Sequence, residues 1–284
     1  MVLTTVKDLG TCLRDFKDKK ARVRSIRAGV LGAMINNMLF SLVENVEKDG
    51  SPPSVLVIIA TLNEEEGIGP TLAELKEFLM NPRFLVVDGN SRDRTVEVAG
   101  KMGSEVLFQE GSGKGQAIAQ ALKHVDFDVK YVVFIDADFT YPAEYLPEMI
   151  QVLEENAKVG MVTGNRFNHS FELRGMANAF FVGNRFLAFT QRFLNGVNLR
   201  DPLTGLRVVR WRILKNWEPK SKGFDIEAEM NHRVERYGYK IVEVPINYRD
   251  RLGEKKLKLR HGFTILKRIM VESLIDFEYK NRFN

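Results

Sequence analysis

Cysteine is almost absent from this chain, which has one such residue, Cys12, among 284. A single cysteine excludes an intramolecular disulfide and fits a reducing compartment such as the cytoplasm. The chain also lacks any run of 18 apolar residues, because Asn36 and Asn37 interrupt its longest apolar stretch, residues 30–42. We therefore expect no transmembrane helix. Charged residues are spread through the first 27 positions, so we also expect no signal peptide.

Two common phosphate-binding signatures are missing as well. No Gly-x-Gly-x-x-Gly follows the first predicted strand, which argues against a dinucleotide-binding motif. Gly113 and Lys114 match part of a P-loop, but Gly115 stands where that loop needs Ser or Thr. Phe108 stands at the position of the first P-loop glycine. The four histidines are scattered and do not show the spacing of metal ligands.

The net charge of +5 is distributed unevenly. Residues 14–27 carry seven Lys/Arg against two Asp, and residues 249–268 carry eight Lys/Arg against two acids, so the rest is net negative. Basic ends on an acidic middle indicate an anionic surface or ligand. The basic residues are not interleaved with aromatic side chains, as stacking on nucleic acid requires, so we expect no nucleic-acid partner. We predict a cytoplasmic protein that is peripheral on the inner face of the cell membrane.

The sequence divides into three predicted parts. Residues 1–50 show an apolar stripe with helical spacing, and the segment 49–53 (Asp-Gly-Ser-Pro-Pro) ends this N-terminal helical extension. Residues 51–248 alternate strand and helix signals and form the predicted main domain. Residues 249–284 combine a basic loop with an amphipathic helix. The predicted apolar stripe of that last helix is Phe263, Leu266, Ile269, Met270, Leu274 and Phe277. Both terminal helices could pack on the domain or contact a membrane.

Alternating strands and helices define the predicted fold of the main domain. Helical patterns at 64–80, 93–102 and 116–124, and another after Pro142, separate the apolar strand-like runs. These runs are residues 55–60, 84–87, 106–108, 131–135 and a segment near 161–163. This alternation predicts an α/β fold with a doubly wound, mostly parallel sheet and added amphipathic helices at both ends.

Polar segments follow the first four predicted strands. They are 61–65 (Thr-Leu-Asn-Glu-Glu), 88–95 (Asp-Gly-Asn-Ser-Arg-Asp-Arg-Thr), 111–115 (Gly-Ser-Gly-Lys-Gly) and 136–138 (Asp-Ala-Asp). Taken singly, each could be a helix start, a capping loop or a turn. Because the carboxyl ends of parallel strands meet at one edge of an open sheet, the four together predict a nucleotide site. Two carboxylates there, Asp136 and Asp138, need a partner, and a divalent cation bridging to a phosphate is the simplest one.

These motifs as a set resemble the inverting family-two glycosyltransferases with the GT-A fold. Within that family the chain is most similar to the archaeal-type dolichyl-phosphate (polyprenyl-phosphate) mannose and glucose synthases. The resemblance covers about residues 53 to 258 and leaves out the first 50 residues. Further segments carry it: 164–167 (Gly-Asn-Arg-Phe), 201–207 (Asp-Pro-Leu-Thr-Gly-Leu-Arg), 223–227 (Gly-Phe-Asp-Ile-Glu), 243–246 (Glu-Val-Pro-Ile) and 251–257 (Arg-Leu-Gly-Glu-Lys-Lys-Leu).

The resemblance implies a nucleoside-diphosphate sugar (GDP-mannose or a UDP-hexose) as donor and polyprenyl (dolichyl) phosphate as acceptor. It implies Mg²⁺ or Mn²⁺ as cofactor, held by Asp136 and Asp138. The implied donor-binding residues are Thr61, Asn63, Glu65, Asp88, Ser91, Lys114, Asp136, Ala137 and Asp138. The implied acceptor-phosphate residues are Arg166, Arg251 and Lys256, since guanidinium groups suit phosphate oxygens. The candidate catalytic residues are Asp136, Asp138, Asp201 and Arg166.

Several alternatives remain open at this point. A hydroxyl acceptor would need a general base, for which Asp201 is the candidate, and a non-catalytic sugar-nucleotide-binding protein is a further alternative. Thr140 stands where relatives often have Gln, and Lys255 where they have Ser, which leaves the metal and acceptor contacts open. The aromatic segment 180–193 could be core or could shelter a lipid tail. The chain could also form a homo-oligomer.

Overall fold

The computed structural model describes residues 55–127, 129–167, 179–254, 256, 258 and 260–282, and it describes side chains except those of 179–180 and 276–282. The chain divides into two compact units, Met1–Ser51 and Pro52–Asn284, and all described residues belong to the second. The predicted helical extension, residues 1–50, and Lys255 therefore lie outside the described residues. The three-part division of the sequence stays a prediction.

The second unit is built on one seven-stranded sheet. Its strands are β1 (Val55–Thr61), β2 (Arg83–Asp88), β3 (Glu105–Phe108), β4 (Tyr131–Phe134), β5 (Val159–Asn165), β6 (Arg207–Arg210) and β7 (Lys240–Pro245). The spatial order is β3-β2-β1-β4-β6-β5-β7. Only β6 runs antiparallel to its neighbours, β4 and β5. The predicted mostly parallel α/β sheet is therefore confirmed.

Helices connect the strands and cover both faces of the sheet. They are α1 (Glu65–Phe78), α2 (Thr95–Lys101), α3 (Lys114–His124), α4 (Leu146–Glu155, after a 3₁₀ turn Ala143–Tyr145), α5 (Ala179–Asn195), α6 (Trp211–Leu214), α7 (Ile226–Arg236) and α8 (His261–Arg282). Within the described residues, no helix is both long enough and apolar enough to cross a membrane.

The central strands are buried on both faces, which explains their continuous apolar sequences. Successive side chains of β1 point to opposite faces. Val57 therefore belongs to a core cluster with Ile68 and Leu72 of α1, whereas Ile58 belongs to a second cluster with Ile118 of α3. These two clusters hold the sheet rigid, so the loops at the carboxyl ends of β1, β2 and β4 are set on a fixed frame.

The predicted apolar stripe of the last helix is divided between a buried side and an exposed side. Ile269 is buried, as expected, together with Ile265, but Phe263, Met270 and Leu274 are exposed. The side chain of Phe277 lies outside the described residues. The reason is that α8 packs against the domain with only a narrow face, so a stripe that spans more than this face cannot be buried entirely. The strands β6 and β7, which the sequence patterns did not separate from loops, complete the far half of the sheet.

Candidate active site

The acidic segment 136–138 lies directly after β4, and α1 begins against it. A Cβ atom on Gly67 would lie 2.4 Å from the carbonyl oxygen of Ala137 and 2.7 Å from Cα of Asp138, so only glycine fits there. The next residue, Phe139, has a φ of 63°, which turns the chain sharply after the second aspartate. The sequence thus forces the two carboxylates into a tight bend at the sheet edge.

Asp136 is paired with a buried lysine. Lys114, in the first turn of α3, places its Nζ 2.6 Å from Oδ1 of Asp136 and 2.8 Å from Oε1 of Glu227. Burial alone would lower the pKa of Lys114, but the charges of the two carboxylates outweigh it and raise that pKa. Burial alone would raise the pKa of Asp136, and the charge of Lys114 lowers it instead. Lys114 and Asp136 are therefore both ionised at neutral pH.

Asp138 is oriented by Thr140 and paired with Arg251. Its Oδ1 accepts hydrogen bonds from Oγ1 of Thr140 at 2.6 Å and from the backbone N of Thr140 at 3.2 Å, and its Oδ2 lies 2.6 Å from Nη1 of Arg251. Burial raises the pKa of Asp138, and the neighbouring charge of Asp136 raises it further. In this chain Thr140 thus fixes the rotamer of an aspartate.

Arg251 and Lys256 meet a third carboxylate, Glu64, beside Asp138. Arg251 donates from Nη2 to Oε1 of Glu64, and Lys256 places its Nζ 2.8 Å from the same oxygen and 2.8 Å from the carbonyl oxygen of Asn63. Burial raises the pKa of Glu64. Among Glu64, Glu65 and Glu66, only Glu64 is buried. The basic loop therefore reaches back over the edge of the sheet and covers the acidic segment.

The loops after β1 and β2 are joined by reciprocal hydrogen bonds. The backbone N of Asn63 donates to Oγ of Ser91 at 2.8 Å, and the backbone N of Arg92 donates to Oδ1 of Asn63 at 2.8 Å. Asp88, which is fully buried, accepts from Oγ of Ser91 at 2.5 Å and from Oγ1 of Thr61 at 3.2 Å. These bonds hold the two loops as one rigid wall of the crevice.

Glu65 adds further hydrogen bonds between the same two loops. Its backbone N donates to Oδ2 of Asp93 at 3.1 Å, and its side chain accepts from the backbone N of Arg94 at 2.9 Å. Burial alone would raise the pKa of Asp93, but the hydrogen bonds it accepts from Thr95 and from backbone N–H groups together lower that pKa. Glu65 therefore positions the loop through its own backbone and carboxylate.

Arg166 and Asp201 form a bidentate ion pair. Nε and Nη2 of Arg166 donate to Oδ2 and Oδ1 of Asp201 at 2.7 and 2.8 Å, and the backbone N of Arg166 adds a bond of 3.1 Å to Oδ2. Asn184 donates to Oδ1 at 3.0 Å. Asp201 is 0% exposed and accepts four hydrogen bonds, so it is not placed to take a proton from an acceptor.

The segment 201–207 is shaped to pass close to Asp136. A Cβ atom on Gly205 would lie 2.4 Å from Oδ2 of Asp136, and the backbone N of Gly205 donates to the hydroxyl of Tyr141 at 2.7 Å. Arg207 is 1% exposed and donates to the carbonyl oxygens of Thr204 and Pro202 at 2.9 and 2.6 Å. A buried arginine therefore supports the backbone that carries Asp201 and Gly205.

The acidic edge fits a divalent cation that is shared with phosphate oxygens. In the part of the chain that the structure describes, no group of three or more His, Cys, Asp or Glu side chains forms a complete metal site. Asp136 and Asp138 nevertheless supply two hard oxygen ligands, and each is neutralised here by a cationic side chain. Mg²⁺ is commonly held by one or two carboxylates together with substrate phosphates. The donor set is consistent with that arrangement.

The structure thus brings most predicted site residues to one edge. The edge holds two separate sets of ion pairs: Lys114 pairs with Asp136 and Glu227, whereas Arg251 pairs with Asp138 and shares Glu64 with Lys256. The adjoining hydrogen-bonded wall is formed by Thr61, Asn63, Glu65, Asp88 and Ser91. Sequence reasoning did not single out some members of the site. They are Glu227, Tyr141 and Asn184. Glu227 lies in the motif 223–227, and its burial and its ion pair with Lys114 mark it as a member of the site.

The fold and this acidic edge define a GT-A-type α/β glycosyltransferase. The chain belongs to glycosyl transferase family 2, whose model matches residues 56–217. It is 37% identical over 201 residues to the dolichyl-phosphate hexose transferase of Haloferax volcanii, a match that covers 71% of this chain and 85% of that protein. It is therefore an enzyme of the glycosyltransferase class, as the sequence motifs predict.

Two further proteins are similar to this chain. The dolichol-phosphate mannosyltransferase of Pyrococcus furiosus is 27% identical over 235 residues, which cover 75% of this chain and 64% of that protein, less than two thirds of its length. The glucosyl-3-phosphoglycerate synthase of Mycobacterium tuberculosis, solved with Mn²⁺, UDP-glucose and phosphoglyceric acid, is 19% identical with a TM-score of 0.61. That match covers 82% of this chain and 83% of the other, and it shows a shared fold.

Proposed function

We propose that this glycosyltransferase moves a hexose from a nucleoside-diphosphate sugar to polyprenyl (dolichyl) phosphate, with inversion and with a divalent metal ion. The observation that carries the acceptor assignment is that both carboxylate oxygens of Asp201 are buried and hydrogen-bonded. This carboxylate is buried, and Arg166 and Asn184 bind both of its oxygens. A hydroxyl acceptor needs a general base, whereas a phosphate acceptor is already ionised near pH 7. The name of the Haloferax volcanii relative supports the same acceptor.

The donor would lie against the wall formed by the loops after β1 and β2. In this proposal Thr61, Asn63, Glu65, Asp88 and Ser91 shape the pocket for the base and ribose. Their side chains are largely engaged with one another, so their role would be to hold the wall rigid and offer backbone groups to the nucleotide.

The donor diphosphate would meet Asp136, Ala137, Asp138 and Lys114. Mg²⁺ or Mn²⁺ on the two aspartates would neutralise the charge that develops on the departing nucleoside diphosphate. The solved glucosyl-3-phosphoglycerate synthase binds Mn²⁺ with a UDP-sugar, which supports the same use of this edge. Lys114 would keep Asp136 ionised and in place.

The acceptor phosphate would be received by Arg166, Arg251 and Lys256. Its oxygen would attack the anomeric carbon in line, and the bond from that carbon to the diphosphate oxygen would break, releasing the nucleoside diphosphate. Guanidinium groups bind phosphate oxygens through fixed pairs of N–H donors, which favours arginine in this role. Arg251 contacts Asp138 as well, so one side chain would link the acceptor phosphate to the metal site.

A transfer assay tests the proposal directly. The purified chain is incubated with Mn²⁺, dolichyl phosphate and labelled GDP-mannose, UDP-glucose or UDP-N-acetylglucosamine in turn. Label that enters the organic phase as an acid-labile product with inverted anomeric configuration supports the assignment. A parallel incubation replaces dolichyl phosphate with a hydroxyl acceptor, and label that passes only to that acceptor, as an acid-stable product, would replace the assignment with the alternative acceptor class. Nucleotide-sugar binding without transfer to either acceptor class would favour the non-catalytic alternative.

The metal assignment has its own test. Asp138→Asn should remove turnover and weaken the binding of Mn²⁺ in the presence of the nucleoside diphosphate, because one of the two hard ligands is lost. Asp126→Asn is the matched control, since Asp126 is exposed and lies in the loop before β4. If Asp138→Asn bound Mn²⁺ and turned over like the wild type, the role of the acidic segment would have to be assigned differently.

A further inference from the structure

Exposed apolar side chains are concentrated on two helices of the described residues. Thirteen large hydrophobic residues are exposed, and nine of them lie on α5 and α8. On α5, Phe186, Phe189 and Phe193 are 56%, 67% and 79% exposed, and on α8 Phe263 is 80% exposed. Soluble proteins scatter such residues singly, so this concentration marks a functional surface.

Seven of these nine exposed residues lie on one face of their helix, because they are three, four or seven positions apart. They are Val182, Phe186, Phe189 and Phe193 on α5, and Phe263, Met270 and Leu274 on α8. The inner faces pack together through Leu187, Ile265 and Ile269. Asn195 also donates from Nδ2 to the carbonyl oxygen of Ile269 at 3.3 Å. The two helices therefore form one platform that carries two outward apolar stripes, which we call the α5–α8 face.

The exposed apolar area of this face is large for a monomer. With about 200 Å² per phenylalanine, its four phenylalanines alone expose roughly 560 Å². This area is at the upper end of the largest apolar patch on a typical monomer, which is about 300–600 Å². The rings of Phe189 and Phe193 are stacked, with centroids 6.3 Å apart and an angle of 11° between their planes, so they project as a unit.

Along α5, and along α8 as far as Val271, the charged side chains are all basic. Helix α5 contains no Asp or Glu, and α8 contains none before Glu272. The exposed cations around the stripes are Arg185, Arg192, Lys258, Arg260 and Lys267. Within the described residues, none of these five forms an ion pair with a carboxylate. An apolar surface flanked by exposed, unpaired cations is complementary to an anionic lipid bilayer.

The face is continuous with the proposed acceptor site. Phe181 of α5 contacts Phe167 edge-to-face, with centroids 5.1 Å apart, and Phe167 directly follows Arg166. Asn184 of α5 binds the same Asp201 that holds Arg166. A membrane on the α5–α8 face would therefore bring lipid headgroups to the side of Arg166.

We propose that the α5–α8 face docks the enzyme on an anionic bilayer, with its phenylalanines in the headgroup–acyl boundary and its cations on lipid phosphates. The inference rests on the proposed function for its purpose, since a polyprenyl phosphate would then be presented from the membrane to Arg166. It concerns membrane binding, however, and is measured without donor or acceptor. Failure to dock and failure to transfer sugar are therefore separate results.

The experiment uses the full chain and sedimentation with vesicles. Vesicles of phosphatidylcholine alone are compared with vesicles that contain about one third phosphatidylglycerol. The combined variant Phe189→Ser/Phe193→Ser should lower the partition coefficient by about tenfold or more, since both rings leave the interface. Arg185→Gln/Arg192→Gln should remove most of the preference for phosphatidylglycerol and its salt dependence. Phe108→Ser is the control, because Phe108 is 61% exposed on β3 and should leave binding unchanged.

Turnover with a short, water-soluble polyprenyl phosphate should stay unchanged in both double variants, whereas turnover with acceptor in vesicles should fall with binding. Three results would overturn the proposal. The wild type could fail to bind anionic vesicles, or the phenylalanine variant could bind them as the wild type does. Alternatively, the variant could convert a dimer to a monomer in sedimentation velocity, or lose thermal stability, which would show that a second copy or residues 1–54 cover this face instead.

Discussion

Asp201→Asn separates a structural carboxylate from a catalytic base. The carboxylate is fully buried and accepts bonds from the backbone N, Nε and Nη2 of Arg166 and from Nδ2 of Asn184. In asparagine one of the two oxygens becomes an NH₂ group. Whichever way this amide points, its nitrogen faces two donors, so two hydrogen bonds are lost. The partly buried guanidinium also loses its counter-charge.

The magnitude follows from that loss. Breaking a buried ion pair by removing one partner costs about 3–5 kcal/mol of unfolding free energy. For a domain of this size, that change corresponds to roughly 6–20 °C in Tm. Urea denaturation of the wild type, Asp201→Asn and Asp126→Asn measures it, with the last variant expected within about 0.5 kcal/mol of the wild type.

A double-mutant cycle identifies the partner. If Asp201 serves mainly to neutralise Arg166, Arg166→Met should also be destabilising, and the double variant should lose clearly less than the sum of the two single losses. The coupling should be about 2 kcal/mol or more. Refutation would come from Asp201→Asn that keeps wild-type stability within about 1 kcal/mol but loses turnover. That result would return Asp201 to the role of general base and favour a hydroxyl acceptor.

Three further predictions concern other parts of the domain. Gly67→Ala should lower both stability and turnover, because the added Cβ would collide with the backbone of the acidic segment. Gly100→Ala is the matched control: its Cβ meets open space, so its free energy of unfolding should rise by about 0.5–1 kcal/mol. Denaturation curves in which Gly67→Ala is the more stable variant would contradict this. Arg251→Gln should tighten Mn²⁺ binding without donor by roughly three- to tenfold in calorimetry, because Asp138 is freed; unchanged or weaker binding would contradict this. Burial raises the pKa of Glu272 above 4.5, so its ionisation removes stability as the pH rises from that value. The free energy of unfolding should therefore fall less between pH 4.5 and pH 7 in Glu272→Gln than in the wild type. An equal pH dependence in the two proteins would contradict this.

The sequence predicted strands β1 to β4 because short runs of neighbouring residues specify them. Continuous apolar runs such as 55–60 and 131–135 are typical of strands buried on both faces, and observed β1 and β4 differ from them by one residue. The strands β6 and β7 were not predicted. Half of β6 is arginine, and these arginines find several of their partners far along the chain, such as Asn231 for Arg207 and the carbonyl oxygen of Val159 for Arg210, which no local pattern reports.

The order of motifs at strand ends also predicted where the site would be. Parallel strands place their carboxyl ends at one edge, so the segments 61–65, 88–95 and 136–138 had to meet there. The pairing of charges within that edge could not be predicted in the same way. Arg251 is 113 positions from Asp138, and Lys114 is 113 positions from Glu227, so only the packed chain decides which cation faces which carboxylate.

By itself, the sequence determined the α/β class, the acidic edge and the family of this enzyme, because these depend on short-range patterns and on the topology that such patterns allow. The tertiary structure alone decided that Asp201 is closed by Arg166, that Thr140 orients Asp138, and that the last helix turns half of its apolar stripe outward. These features depend on burial and on long-range contacts. They arise only when the α5–α8 face and the sheet edge are assembled in one domain.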